Sequence, residues 1–355
     1  MIPIQNLYYL LVYAWDHPLE KSGLDTISGE NCPDLNNLLA VALLEATRRQ
    51  IRFGLDRSYI EVSEETSRIK GRIDFETSVK RLSWKRGRLQ CRFDEFSANV
   101  LHNQILKSTL VLLSRDSSVD IRTRTELSKL LEHFFEVSTR PVQSRLFQRL
   151  KISRHNLSYR FLMHICEMVH TTLLPEKHRL GRLRFHDFLQ NEKLMSSVFE
   201  KFILNFSRRH FPSANVSAMT IDWDASGETP ETHAFIPKMK TDVTFSWPTR
   251  KIILDCKYYK DALSKNQFNG LRFQTGNLYQ MHAYLMNKAV HDGWENVEGI
   301  LLYPTNGYSL DHEFVLHETY PMRLVTLDLN QHWKQIESSL ISIVGSEHSH
   351  SFSGV

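Results

Sequence analysis

The apolar positions predict a different order of elements in each half of the chain. In the first half, Asn6–Trp15 is apolar and aromatic enough to predict a core helix. A polar, Gly-containing stretch follows at Ser22–Pro33. Leu35, Leu38, Leu39, Ala42, Leu43 and Ala46 then recur at helical spacing, predicting a helix over Leu35–Arg49. Ser58–Glu64, Ile69–Phe75 and Leu89–Phe93 read as strands, and Phe96–Ser114 and Leu127–Val137 as helices. In the second half a long helix is expected at Leu189–His210. Short strands follow at Met219–Trp223, Thr241–Ser246 and Lys251–Lys257. A helix at Leu278–Lys288, strands at Gly299–Tyr303 and Arg323–Leu327, and a helix at His332–Ile343 complete the order. The fold class this implies is α/β (α+β overall). Helices flank a mixed central sheet, preceded by a domain of helices and β-hairpins. No internal repeat is present.

Between the halves, Arg140, Arg145, Arg149, Lys151, Arg154 and Arg160 are interleaved with Leu146, Phe147, Leu150 and Tyr159. This stretch reads either as a linker with a solvated helix face or as a phosphate-contacting surface. A domain boundary is expected here, dividing the chain into 1–155 and 156–345, with a Ser-rich, disordered tail at 346–355.

At 355 residues the chain is long enough for two or three domains. A net charge of +4 neither demands nor excludes nucleic acid. Cys32, Cys91, Cys166 and Cys256 lie far apart without a CxxC pair, which argues for free buried thiols in a reducing cytosol rather than a zinc site. The N-terminal segment lacks a basic region and a cleavage site, and no segment reads as a membrane span. The expectation is a cytoplasmic protein with no membrane partner.

One constellation carries chemistry. Lys238–Ser246, a break at Trp247–Arg250, and Lys251–Lys257 read as a β-hairpin. Strand alternation puts Asp242, Thr244 and Ser246 on one face, with Val243 and Phe245 on the other. Asp255 and Lys257 share a face, while Ile252, Leu254 and Cys256 point to the apolar side. Asp-x-Lys occurs here alone as an acidic-x-Lys triplet. The run Ile252-Ile253-Leu254 suggests a buried strand, where an acid and a lysine are costly unless paired or metal-bound. Two carboxylates from adjacent strands can converge on Mg²⁺, which takes oxygen ligands and polarises a phosphate, leaving Lys257 to orient water or stabilise charge. The other reading is a salt-bridged surface hairpin. Gln280 and Tyr284 share a helix face four residues apart and either reach the site or line a half-buried edge. Glu200, a lone acid among apolar residues, is a candidate third metal ligand or a solvated side chain, with Glu192 as the fallback.

This helix–hairpin–helix pattern resembles the PD-(D/E)xK nuclease superfamily, in the branch whose late helix carries Gln-x-x-x-Tyr. Asp242, Asp255 and Lys257 match its two acids and its lysine. Over most of its length the chain is similar to the McrC family, the nuclease subunits of McrBC modification-dependent restriction systems. The similarity rests on Ile2–Trp15, Ile69–Phe75, Asn103–Leu110, Phe185–Phe188, Asn191–Lys193, Asp255–Tyr259, Asn277–Gln280 and Leu302–Pro304. Gln104 departs from it, standing where the family is expected to have Arg. The resemblance implies a Mg²⁺-dependent endonuclease acting on modified, 5-methylcytosine-type double-stranded DNA. It also implies docking on a McrB-like AAA+ GTPase hexamer, whose GTP hydrolysis the subunit stimulates, and cutting when translocating complexes meet. Lys240, Lys260 and Arg272 flank the hairpin as candidate DNA contacts. No Gly-x-x-x-x-Gly-Lys-Ser/Thr loop is present, which places GTP on the partner. Two other functions remain: a non-cleaving regulatory adaptor of an AAA+ ring, and a stand-alone repair-type nuclease.

Overall fold

The computed structural model describes residues 2–16, 32, 34–170, 191–225, 235–258, 263–265, 271–291, 293–305 and 308–345, with the backbone alone at 263–265 and 271–273. Two compact units emerge: residues 32–183, and residues 1–31 together with 184–355.

In the 32–183 unit, helix Leu35–Phe53 is capped by Asp34, whose carboxylate accepts the Asn37 N–H. It packs with helices Ile121–Leu130 and Tyr159–Met168, and the latter packs on Leu101–Ser114. Strands β1 (Ser58–Thr66), β2 (Arg72–Ile73) and β3 (Leu89–Ser97) form an antiparallel sheet in the order β1-β3-β2. β1 and β3 pair from Ser58↔Ser97 to Thr66↔Leu89, a ribbon longer than the sequence predicts. The strand expected over Ile69–Phe75 shrinks to Arg72–Ile73, because Asp74 caps a helix at Phe75–Lys80 by accepting the Thr77 N–H. Gly71 has φ +59°, and a Cβ there would meet Arg92 O at 2.4 Å. This position therefore needs glycine.

The expected boundary at 155/156 falls elsewhere. Tyr159, Phe161, Leu162 and Ile165 are buried in the 32–183 unit, so the chain after the basic stretch is still part of its core. The N-terminal helix Ile4–Ala14 belongs instead to the unit with 184–355. Tyr9 and Tyr13 pack edge-on to Phe202 of helix Glu192–His210, with ring centroids 5.6 and 5.7 Å away.

In that unit β4 (Asn215–Ser217), β7 (Val243–Ser246), β8 (Lys251–Cys256), β11 (Val297–Pro304), β12 (Asp311–Leu316) and β13 (Tyr320–Leu327) build the main sheet. Its order is β12-β13-β11-β8-β7-β4. β11 runs parallel to β8 and β13, while β7 and β4 continue antiparallel on one side and β12 closes the other. β5 (Thr220–Ile221) pairs with β6 (Met239–Lys240), and β9 (Leu263–Lys265) with β10 (Leu271–Phe273). Helix Thr275–Ala289 covers one sheet face: Met281 and Leu285 meet Ile253, Leu301 and Met322. At Gly299 an added Cβ would lie 2.4 Å from Met322 Sδ and 3.1 Å from Met281 Cγ, so that helix comes close to the sheet. Helix Glu192–His210 contacts β4, β7 and β8, and Trp333–Gly345 contacts β13. The α/β class with a mixed, helix-flanked sheet is as expected. All four cysteines are buried and free. No helix of the described residues is long and apolar enough to cross a membrane.

Candidate active site

β8 lies between β11 and β7, so both its edges are paired, and Ile252, Ile253 and Leu254 are all fully buried, so both its faces are covered. Its C-terminal end is where charge enters. In open α/β sheets this end of a parallel strand is the usual place for ligands. Asp255 and Lys257 are 1% and 8% exposed, and Lys257 Nζ lies 2.5 Å from Asp255 Oδ2. The Lys257 N–H donates to Leu302 O at 2.9 Å, extending the ladder with β11 past the end of β8.

Asp242 sits one residue before β7. Since Val243 pairs with Leu254, alternation turns Asp242 to the same face as Asp255. Asp242 Oδ2 accepts the Cys256 N–H at 2.7 Å. The Cys256 side chain points into the apolar side, and burial pushes its thiol well above its ordinary pKa. Cys256 thus contributes through its backbone, a role that side-chain reasoning alone does not reveal.

Burial and the neighbouring Asp255 raise the Asp242 carboxyl to about 7, with Glu200 adding to the effect. Asp255 is raised too, by burial first, with Lys257 pulling the other way and Glu200 adding. These two acids and a lysine leave excess negative charge in a dry place. That arrangement stores a demand for a further cation or for protons.

The lysine is held from the opposite side. Lys257 Nζ donates to Gln280 Oε1 at 2.7 Å, and Gln280 Nε2 donates to Tyr284 Oη at 2.6 Å. Tyr284 in turn donates to Lys240 O at 2.8 Å. Burial raises the Tyr284 pKa, so the phenol stays a donor. This chain runs from helix Thr275–Ala289 to β6, and it fixes the ammonium beside Asp255.

The structure therefore brings Asp242, Asp255, Lys257, Gln280 and Tyr284 together. Glu200 is half-buried, and one of its oxygens takes the Ser196 hydroxyl at 2.9 Å. Among the described residues no three Asp, Glu, His or Cys side chains gather as a metal cage, so the three-carboxylate set expected with Glu200 is not formed. Ser196 precedes Glu200 by one helical turn, a spacing visible in the sequence but without a motif to mark it. Lys240 is exposed, and its carbonyl is the part that joins the network. Lys260 and the Arg272 side chain lie outside the described residues, as do Phe185–Phe188 and the 346–355 tail.

Fold and site together define an α/β protein with a carboxylate pair and a braced lysine at the end of a mixed sheet. The family model described as "McrBC 5-methylcytosine restriction system component" matches residues 4–304, and the chain belongs to that family. It is 31% identical to the type IV methyl-directed restriction enzyme EcoKMcrBC of Escherichia coli K12, over 97% of each chain. A solved half-complex of Thermococcus gammatolerans McrB AAA+ hexamers with bound McrC has a similar fold. The TM-score is 0.55 at 17% identity, covering 96% of this chain and 76% of that one.

Proposed function

We propose that this chain is the Mg²⁺-dependent endonuclease subunit of a GTP-dependent restriction complex that cuts modified double-stranded DNA. The observation that carries the reading is the buried Asp255 beside the half-buried Asp242, with Lys257 held by Gln280. An adaptor that only activates a ring has no use for such a costly set. The relative in Escherichia coli is a methyl-directed restriction enzyme, which supports modified DNA as the substrate.

The donor set fits Mg²⁺. Two hard oxygen donors lie on neighbouring strands, both are raised in pKa, and among the described residues Asp255 Oδ2 has no donor besides Lys257. Mg²⁺ is commonly held by one or two carboxylates with several waters retained. Asp242 and Asp255 would hold it, with Glu200 nearby as a water-mediated contact. Bound there, the ion would polarise the scissile phosphate and acidify a water. Lys257 orients the attacking water or balances charge growing on the phosphate, and Gln280 and Tyr284 keep its ammonium aimed. Lys240, Lys260 and Arg272 supply phosphate contacts.

The partner in this reading is a McrB-like AAA+ GTPase hexamer that carries the GTP; the Thermococcus assembly, of McrB AAA+ hexamers with bound McrC, supports a hexameric AAA+ partner. The 32–183 unit offers it the far end of the β1–β3 ribbon, where Ile69, Phe75, Val79, Leu82 and Trp84 are exposed. The test is cleavage of methylated and unmethylated DNA with Mg²⁺, GTP and the co-purified GTPase. Asp255→Ala is expected to lower cutting by about a thousandfold while the complex still forms. Wild-type cutting by that variant overturns the nuclease assignment in favour of the adaptor. Cutting by the wild-type chain without partner or GTP favours the stand-alone nuclease.

A further inference from the structure

The Asn103–Leu110 block has no part in the carboxylate site. Asn103 is 0% exposed, and its Nδ2 donates to two carbonyls, Asp56 O at 2.9 Å and Ala98 O at 2.8 Å. Asp56 lies two residues before β1 and Ala98 directly follows β3, so one carboxamide clamps the entry and exit of the ribbon. Asn103 Oδ1 accepts from Tyr159 Oη at 2.6 Å, and that hydroxyl accepts the Asp56 N–H at 3.0 Å. The Asp56 carboxylate takes Asn156 Nδ2 at 3.0 Å and lies 2.9 Å from His102 Nε2.

A second tie lies beside the first. Gln104 Nε2 donates to Asn99 O at 2.8 Å and to Asn99 Oδ1 at 2.9 Å. Arg140 Nη1 donates to Gln104 Oε1 at 3.1 Å, and the Ser138 N–H to Asn99 Oδ1 at 2.9 Å. Gln104 stands where the resemblance leads one to expect arginine. Here Arg140 brings a guanidinium to the Gln104 carboxamide.

Apolar packing would close this base without the desolvation cost. A buried, matched polar network instead selects one geometry, because every other leaves its groups unpaired. The ribbon pairs nine residues on each strand. At β-strand rise that is about 30 Å. Half of its residues are exposed and only Gln90 and Cys91 are buried, so its direction is set at its base.

We infer that Asn103, with Tyr159 and Asp56, is a positioning device that holds the ribbon rigidly on the helices of its unit. A contact made at the tip is then carried into Leu101–Ser114 and Tyr159–Met168 instead of being absorbed by a hinge. The functional consequence rests on the reading above: a McrB-like GTPase responds to the tip only while the base is clamped.

The test uses the full chain with Tyr159→Phe, which removes one hydroxyl and keeps the ring, and Asn103→Ala. In hydrogen exchange, the ribbon-base amides (58–61 and 94–97) are expected to exchange about tenfold faster. Protection within Leu35–Phe53 stays unchanged. Stimulated GTP turnover at saturating chain falls about fivefold, while the concentration for half-saturation stays within about twofold. Unchanged base amides in Tyr159→Phe, or faster exchange spread equally over Leu35–Phe53, overturns the inference. If Asn103→Ala does not fold, Tyr159→Phe decides alone. If the wild-type chain fails to stimulate the GTPase, the functional reading falls, and exchange still decides the clamp.

Discussion

Each unit buries a cluster of polar side chains, and the two clusters are built on opposite principles. Around Asn103 donors meet acceptors: a carboxamide, a phenol and backbone groups pair with one another, and the single carboxylate beside them, that of Asp56, takes Asn156 Nδ2 and lies against His102. Around Asp255 two acids face one lysine, and both carboxyls are pushed up in pKa. Burial is common to both, so burial alone does not mark function. What separates them is balance. A matched network stores no demand and fixes geometry; a mismatched one keeps a standing demand for a cation or a proton, which chemistry can use.

The largest expected effect comes from deepening the mismatch. Lys257→Ala leaves Asp255 without its partner in a site with almost no solvent. It should lower cutting by about a hundredfold or more and destabilise the metal-free chain by about 3 kcal/mol at pH 8. The loss should shrink as pH falls, because Asp255 escapes the penalty by taking a proton. Denaturant unfolding at pH 8 and pH 5, in EDTA, checks this. Equal losses at both pH values would break the comparison.

Perturbing the matched cluster should cost less and ignore pH. Tyr159→Phe removes hydrogen bonds to Asn103 and Asp56, worth about 1–2 kcal/mol. Burial raises the Tyr159 pKa, so the phenol stays protonated throughout the working range. The same unfolding experiment should therefore give equal losses at pH 7 and pH 9. A loss that changes between them would place ionisation in the hub and remove the distinction.

Much of the site was legible because strand and helix periods are strict. Two-residue spacing put Asp255 and Lys257 on one face, and four-residue spacing put Gln280 and Tyr284 on another element facing them. Contacts made through the backbone left no such trace: the Cys256 N–H and the Lys240 carbonyl both serve the site, yet neither depends on its side chain. The fold was readable where strands are buried and unreadable at the sheet's margins. β12 (Asp311–Leu316) and β4 are edge strands with mostly polar or half-exposed residues, and neither was predicted. The domain boundary failed for a related reason. The basic stretch resembles a linker in composition, but Leu146, Phe147 and Tyr159 within it are core residues. Where the N-terminal helix packs is decided by residues almost two hundred positions away, such as Phe202 and Phe206.

The last effect is as small and should have the opposite sign. Asp242 has a folded-state pKa of about 7, above its ordinary value of 3.8. Below both values the acid is neutral whether folded or not, and it costs nothing. As pH rises from 4 towards 7 the unfolded chain releases the proton first, so folding stability falls, and above 7 the full cost is present. Asn mimics the protonated acid and can still accept the Cys256 N–H. Asp242→Asn should therefore stabilise the metal-free chain at pH 8 by about 1–2 kcal/mol and have almost no effect at pH 4. Adding Mg²⁺ should reverse the ranking at pH 8, because the wild type gains a ligand that the variant cannot hold. Melting curves with EDTA and with Mg²⁺ at both pH values separate the two contributions. A variant no more stable than wild type in EDTA at pH 8 would mean that the carboxylate pair is already balanced. The site would then be matched, like the hub, and balance could not be what distinguishes chemistry from architecture in this chain.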